Sequence, residues 1–346
     1  MTSFSIYKST FRFTLMRILT GLLSVLLIVG LPVIAFLVTG SAEDETRIIV
    51  CIIALIAACI IVGLLSHFVG YIFRAGQIAV AANAIKEDKL PENAYEEGKA
   101  AVKKRFGTVA VFFAIEKVIN AIVSQLTSGV TKLTDKLGKN NDTVQTIGTV
   151  VSIVINAMLK FMCACCMGWV FIHPDTNAWR SALDGAILYF KNWKDLLKNT
   201  GKVIGFGLLS LILIGGLMFG ASHLVMHNNS ALVEMTEALE THLKEMDTQE
   251  LAATLSTEEE STEKTAETVS FLQNLTAAQW RLIFEGVVAL ILWGIIHSAL
   301  VDPYIMISVM NRYIPAGLAN PPARENDSKL AELSKSYKKA LAEAAE

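Results

Sequence analysis

The sequence predicts an all-α protein: a polytopic membrane helix bundle of about six transmembrane helices, with amphipathic helices on its cytoplasmic side. Three observations carry this. Of 346 residues, 53% are hydrophobic and only 18% charged, whereas soluble domains carry roughly 25% charged residues. The apolar residues come in runs of about twenty, long enough to cross a hydrocarbon core of about 30 Å at about 1.5 Å per residue. Lysine and arginine are also sorted between alternate loops.

Residues 1–17 hold Lys8, Arg12 and Arg17 beside Phe4, Tyr7, Phe11 and Phe13. That mixture suits a cytoplasmic membrane surface. The apolar run that follows is too long for a signal-peptide core, so residues 18–38 are expected to stay as span 1. Span 2 ends at residue 73. Residues 74–106 are polar, and Pro91 divides two helical patterns, which predicts a solvated cytoplasmic hairpin. Spans 3 and 4 fall within 107–172. Span 3 carries Glu116 and Lys117 near its middle, and span 4 contains Lys160. Charges at such depth seek a partner or water, and an ion pair between spans is the expectation for these three. A stripe of Trp179, Leu183, Ala186, Ile187, Phe190, Trp193 and Leu197 makes an amphipathic helix within 173–202, suited to the headgroup layer or to packing on the spans.

Span 5, residues 203–226, is rich in glycine, which lets membrane helices approach closely. Residues 227–278 form an acidic extracytoplasmic loop, with eleven carboxylates against Lys244 and Lys264. Its first half has helical periodicity. Its Thr/Glu/Ser tract over 256–270 has little from which to build a core. Span 6 lies within 279–310, and residues 311–346 form a cytoplasmic tail. With both termini inside, the inner segments hold 21 Lys and Arg and the outer ones 6, the bias of the positive-inside rule.

No phosphate-binding loop, dinucleotide fingerprint or nucleophile elbow is present, so the chain is not expected to be an enzyme, and no cofactor or nucleic-acid partner is expected. His223 and His227 are four apart, but the glutamate of the H-E-x-x-H zinc motif is missing between them. They read as two wet interfacial histidines, and no metal is expected. Glu285 is the strongest functional candidate. An intramembrane carboxylate attracts a cation or relays a proton, unless it sits at the outer headgroup level beside Trp280 and Arg281. Trp293 offers a cation–π face to a quaternary ammonium. His297 shares its helix face and reads as a bundle residue or a proton relay. Cys163, Cys165 and Cys166, near the inner end of span 4, read as small buried side chains and are also candidates for lipidation.

From about Lys104 onward several features recur in a familiar order: Arg105-Phe106-Gly107-Thr108, Lys136-Leu137-Gly138-Lys139, Cys163-Ala164-Cys165-Cys166, Ser181-Ala182 with Asn192, Gly201-Lys202-Val203-Ile204, and a last span ending near Val301-Asp302. In these the chain resembles the C-terminal half of the choline transporter-like family. The resemblance implies a carrier of choline-like or ethanolamine-like amines. That family has more spans than are counted here, and its N-terminal spans and outer domain are not evident. Two functions are therefore expected in competition. One is transport of a small organic cation across the lipid bilayer, with Glu285, Trp293 and His297 as the binding residues. The other is a non-transporting scaffold or accessory subunit, as a homo-oligomer or beside a partner membrane protein, acting through the acidic loop or the cytoplasmic helices.

Overall fold

The computed structural model describes residues 1–40, 44–106, 114, 117–121, 161–192, 205–245, 269–322, 327–328, 331–332 and 335–343. Among them every regular element is a helix. Four helices are long and apolar enough to cross a membrane: Phe11–Val38, Ile49–Glu87, Gly205–Met226 and Ala277–Ala319. Large apolar side chains stand exposed along them, among them Leu26, Leu37, Ile53, Ile60, Ile212, Leu217 and Leu290. Lipid is the solvent that makes such a surface stable, and the chain reads as a multi-pass membrane protein. Most of span 3 and the first part of span 4 lie outside the described residues, as does the tract over 256–268.

The chain divides into two compact units, Met1–Gly207 with Ser298–Glu346, and Leu208–His297. In the first, α1 (Ser3–Ser9) is capped by Thr2, whose hydroxyl accepts from the Ser5 N–H. The N-terminal amine pairs with Asp88 at 2.8 Å, and Ile6 is fully buried. The N-terminal segment is thus docked on protein. Span 1 starts earlier than the hydropathy suggests, since α2 runs Phe11–Val38 and takes in Arg12 and Arg17. Arg12 lies over the ring of Tyr95, 4.6 Å from its centroid.

The helix of span 2 does not stop at residue 73. α3 (Asp44–Glu87) continues unbroken for 44 residues and ends before Asp88, whose φ is +50°. Its last third is Ala75, Ile78, Ala79, Val80, Ala81, Ala82 and Ala84, all buried. The predicted solvated hairpin therefore has a buried first arm. α4 (Ala94–Phe106) returns against it. Gly98 makes that return possible: a Cβ there would stand 2.7 Å from the Gly76 carbonyl oxygen.

The core of this unit is α5 (Met162–Ile172), in which every residue is buried. α6 (Ala178–Lys191) lays Leu183, Ala186 and Ile187 into the same core. Those stripe residues pack on protein and not on headgroups; Trp193 and Leu197 lie outside the described residues. Cys163, Cys165 and Cys166 are buried on α5. The lipidation expectation is corrected accordingly, because a thiol enclosed by packed helices cannot reach an acyl donor.

In the second unit a π-helical turn, Leu211–Gly215, leads into α7 (Gly216–Met226). α8 (Ser230–Glu245) confirms the helical half of the acidic loop, and α9 (Ala277–Ile296) completes the unit. Of the span 5 glycines only Gly215 has a neighbouring helix beside it among the described residues, at Trp293; a Cβ on Gly205, Gly207, Gly216 or Gly220 would meet nothing within 4 Å. Asp302-Pro303 does not end the last helix either. A π-helical turn, His297–Val301, is followed by α10 (Asp302–Ala319), with Pro303 in its first turn, where a missing N–H costs little. A short α11 (Lys335–Glu343) closes the described chain.

Candidate functional site

The site is built where the end of α7 meets the start of α9. α9 is anchored firmly. Thr276 and Gln279 form a reciprocal capping box, satisfying backbone donors that a bare helix start would leave open. The Ala277 N–H also donates to Glu240 of α8. Hydrogen bonds from Lys244 and from this amide hold the Glu240 carboxyl below its ordinary range.

The early start of α9 changes the standing of Glu285. It lies about two turns into the helix, with no exposed surface. A buried carboxylate is costly unless its oxygens are satisfied. The groups facing it come from α7. His223 Nδ1 shares a hydrogen bond with Oε2 at 2.8 Å, and His227 Nδ1 stands 3.4 Å from Oε1. The two imidazole centroids are 4.3 Å apart, and Phe219 stacks on the His223 ring. One ligand atom from each of His223, His227 and Glu285 falls within 4.8 Å of the others. Glu285 Oε1 and His227 Nδ1 have no hydrogen-bond partner among the described residues.

The sequence reading found each of these residues but not their association. The missing glutamate of His223-x-x-x-His227 comes from another helix, 62 positions beyond His223. A signal was available. Consecutive antiparallel spans place the end of one beside the start of the next, and all three residues sit near that shared end.

Trp293 and His297 belong to a different cluster. Trp293 Nε1 donates to Ser210 Oγ at 3.3 Å, and Ser210 Oγ is 2.6 Å from His297 Nδ1. The two rings lie 5.1 Å apart, and Gly215 packs beside the indole. Eight residues separate Trp293 from Glu285, about 12 Å along a helix. The expected amine site, with a carboxylate and an indole around one cation, is not assembled by these two residues. Lys117 is exposed. Glu116 and Lys160, its expected partners, lie outside the described residues.

A separate hollow of about 350 Å³ lies in the first unit, lined by Ser3, Phe206, Tyr304, Ser308, Asn311 and Arg312 among others. Its lining holds a cation and no carboxylate.

No family pattern, curated protein or solved structure matches this chain.

Proposed function

We propose that this multi-pass membrane protein is a carrier of small cations, with Glu285 as the cation-holding carboxylate. The observation that carries the reading is a single one: a glutamate with no exposed surface, within an apolar helix, with two half-exposed histidines as the only side chains bonded or ion-paired to it among the described residues. Ionisable groups at such positions are expensive and mark ion pathways or relays. The resemblance to an amine-carrying family points to the same class of cargo. Separation of Trp293 from Glu285 narrows it, because an aromatic wall for a quaternary ammonium is not supplied from that position.

The test is uptake into proteoliposomes. Wild-type protein and Glu285→Gln are reconstituted side by side, and accumulation of labelled choline, sodium and zinc is followed. The expected result is uptake of one cation class by wild type that falls to the empty-vesicle level in Glu285→Gln. Uptake equal to empty vesicles for all three, from folded protein, would overturn the carrier reading in favour of a non-transporting membrane scaffold.

A further inference from the structure

We infer that His223, His227 and Glu285 form a binding site for a divalent first-row transition metal, zinc foremost. This deepens the proposed function by naming the cation, and it rests on the same carboxylate.

The donor set is the first argument. Two imidazole nitrogens and a carboxylate oxygen are borderline ligands that suit zinc and its neighbours; all-oxygen sites suit magnesium and calcium. Three protein ligands leave a fourth position for water or an exchanging ligand, as in zinc sites that are not purely structural. His223 and His227 are one helical turn apart, so both rings project from one face of α7, and both turn Nδ1 toward the same carboxylate.

The second argument is independent of spacing. Glu285 is fully buried, yet among the described residues its Oε1 is without a hydrogen-bond donor, and the facing His227 Nδ1 is likewise unpartnered. A buried acceptor left unsatisfied bears its full desolvation penalty. Two such atoms 3.4 Å apart, both able to give a lone pair to one ion, are the arrangement a shared cation resolves. The nearby cation does not resolve it: Arg281, one turn before Glu285 on α9, forms no ion pair with it among the described residues.

The third argument is access. His223 and His227 side chains are 42% and 43% exposed while Glu285 is enclosed. An ion can therefore arrive through the imidazoles and be neutralised at depth by the carboxylate. Each residue has a separate task. The histidines supply directional nitrogen donors at the mouth, and Glu285 supplies the negative charge that makes binding a divalent ion favourable at that depth.

The experiment uses the full chain purified in detergent with an affinity tag that contains no histidine. Zinc binding is measured by competition with a chromophoric chelator, and cobalt is added in parallel to read its visible absorption bands. One equivalent of zinc per chain is expected, unaffected by a large excess of calcium or magnesium, together with cobalt bands indicating nitrogen and oxygen ligands. Glu285→Gln and His227→Ala should each weaken zinc by more than about tenfold. The His223→Ala/His227→Ala double variant should abolish the cobalt bands. The wild-type cobalt spectrum decides the question if any variant fails to fold. Absence of stoichiometric zinc and of cobalt bands in folded wild type overturns the metal site, as does unchanged zinc affinity in folded Glu285→Gln. The two readings fail separately. Zinc bound at this site without zinc uptake would remove the carrier and keep the metal site. Glu285-dependent uptake of choline or sodium without zinc binding would remove the metal site and keep the carrier.

Discussion

The hydroxyl of Tyr313 donates to the main-chain carbonyl of Gly185 at 2.8 Å, and both residues sit deep in the core of the larger unit. The bond exists because α6 comes so close. A Cβ on Gly185 would lie 2.9 Å from the Cα of Cys166 and 3.2 Å from the Tyr313 oxygen. Backbone cannot swing aside as a flexible side chain can. Gly185→Ala should therefore push α6 away from α5 and cost about 1–3 kcal/mol as an overpacking defect. Tyr313→Phe keeps the shape and removes only one hydrogen bond, for about 0.5–1.5 kcal/mol. Thermal unfolding in detergent, followed by the fluorescence of Trp169, checks the order. A Gly185→Ala protein as stable as wild type would mean that the helices are not in contact there.

A second prediction concerns the turn after α5. Arg105 donates through Nη1 to the Pro174 carbonyl at 2.9 Å, and through Nη2 to those of His173 at 3.1 Å and Thr176 at 2.6 Å. One guanidinium thus gathers three carbonyls of the turn that follows α5. Burial lowers its pKa, with Asp175 opposing, yet an arginine so shifted stays charged at neutral pH. Arg105→Ala should cost about 1.5–3 kcal/mol, the worth of hydrogen bonds from a charged donor. Arg105→Lys should recover only part, because a single ammonium cannot reproduce the fork. Faster hydrogen exchange over 174–181 in both variants, larger for alanine, is the expected readout.

Four of the six expected spans were legible because lipid rewards uninterrupted apolarity, and periodicity alone pointed to the helical half of the acidic loop in Ser230–Glu245. What hid was whatever depends on a neighbour. Ala75–Ala84 looks like an ordinary polar-flanked helix until α5 covers it. The Lys86 ammonium, which reads as a surface charge, donates to the Ile172 carbonyl at 2.7 Å. The zinc-like constellation was invisible for the same reason: a motif search along the chain expects glutamate between the histidines, and here it stands on the adjoining helix. Pro303 shows the converse error. A proline inside an apolar run suggests an ending, whereas here a π-helical turn precedes it and the helix goes on.

The Arg180 cluster yields a pH prediction. Arg180 makes a 2.8 Å pair with Asp327 and a 2.7 Å contact with Asp184, and the Tyr337 hydroxyl donates to Asp327 at 2.7 Å. Burial would lower the Arg180 pKa, but Asp327 and Asp184 outweigh it and raise it. Asp184 goes the other way from a well-satisfied carboxylate: burial raises its pKa despite Arg180. Its Oδ1 contact with the guanidinium is not aligned as a hydrogen bond. Burial of Asp184 outweighs its attraction to Arg180, and the aligned hydrogen bonds from the guanidinium go to Asp327. A carboxyl raised on folding contributes most stability at pH below its ordinary pKa and loses that contribution as pH rises through the folded value. Asp184→Asn should therefore raise the unfolding midpoint slightly at pH 7, with the gain vanishing in acid. Asp327→Asn should lower it at pH 7 and expose α11 to protease. A destabilised Asp184→Asn at pH 7 would reverse the assignment.

The last prediction separates the two clusters of the smaller unit. Ser210 receives the Trp293 N–H and meets His297, so Ser210→Ala removes both bonds at once without touching Glu285. Interhelical hydrogen bonds in membranes are worth about 0.6 kcal/mol on average and at most about 1.7. The variant should lose roughly 1–2 kcal/mol of stability, and its tryptophan emission should shift as the indole N–H changes partner. Its zinc affinity should match wild type, since the ligands lie about 12 Å away along α9. His297→Ala should behave similarly. Loss of zinc binding in a folded Ser210→Ala protein would show that the two clusters act as one, and would return His297 and Trp293 to the cation site from which their geometry separates them.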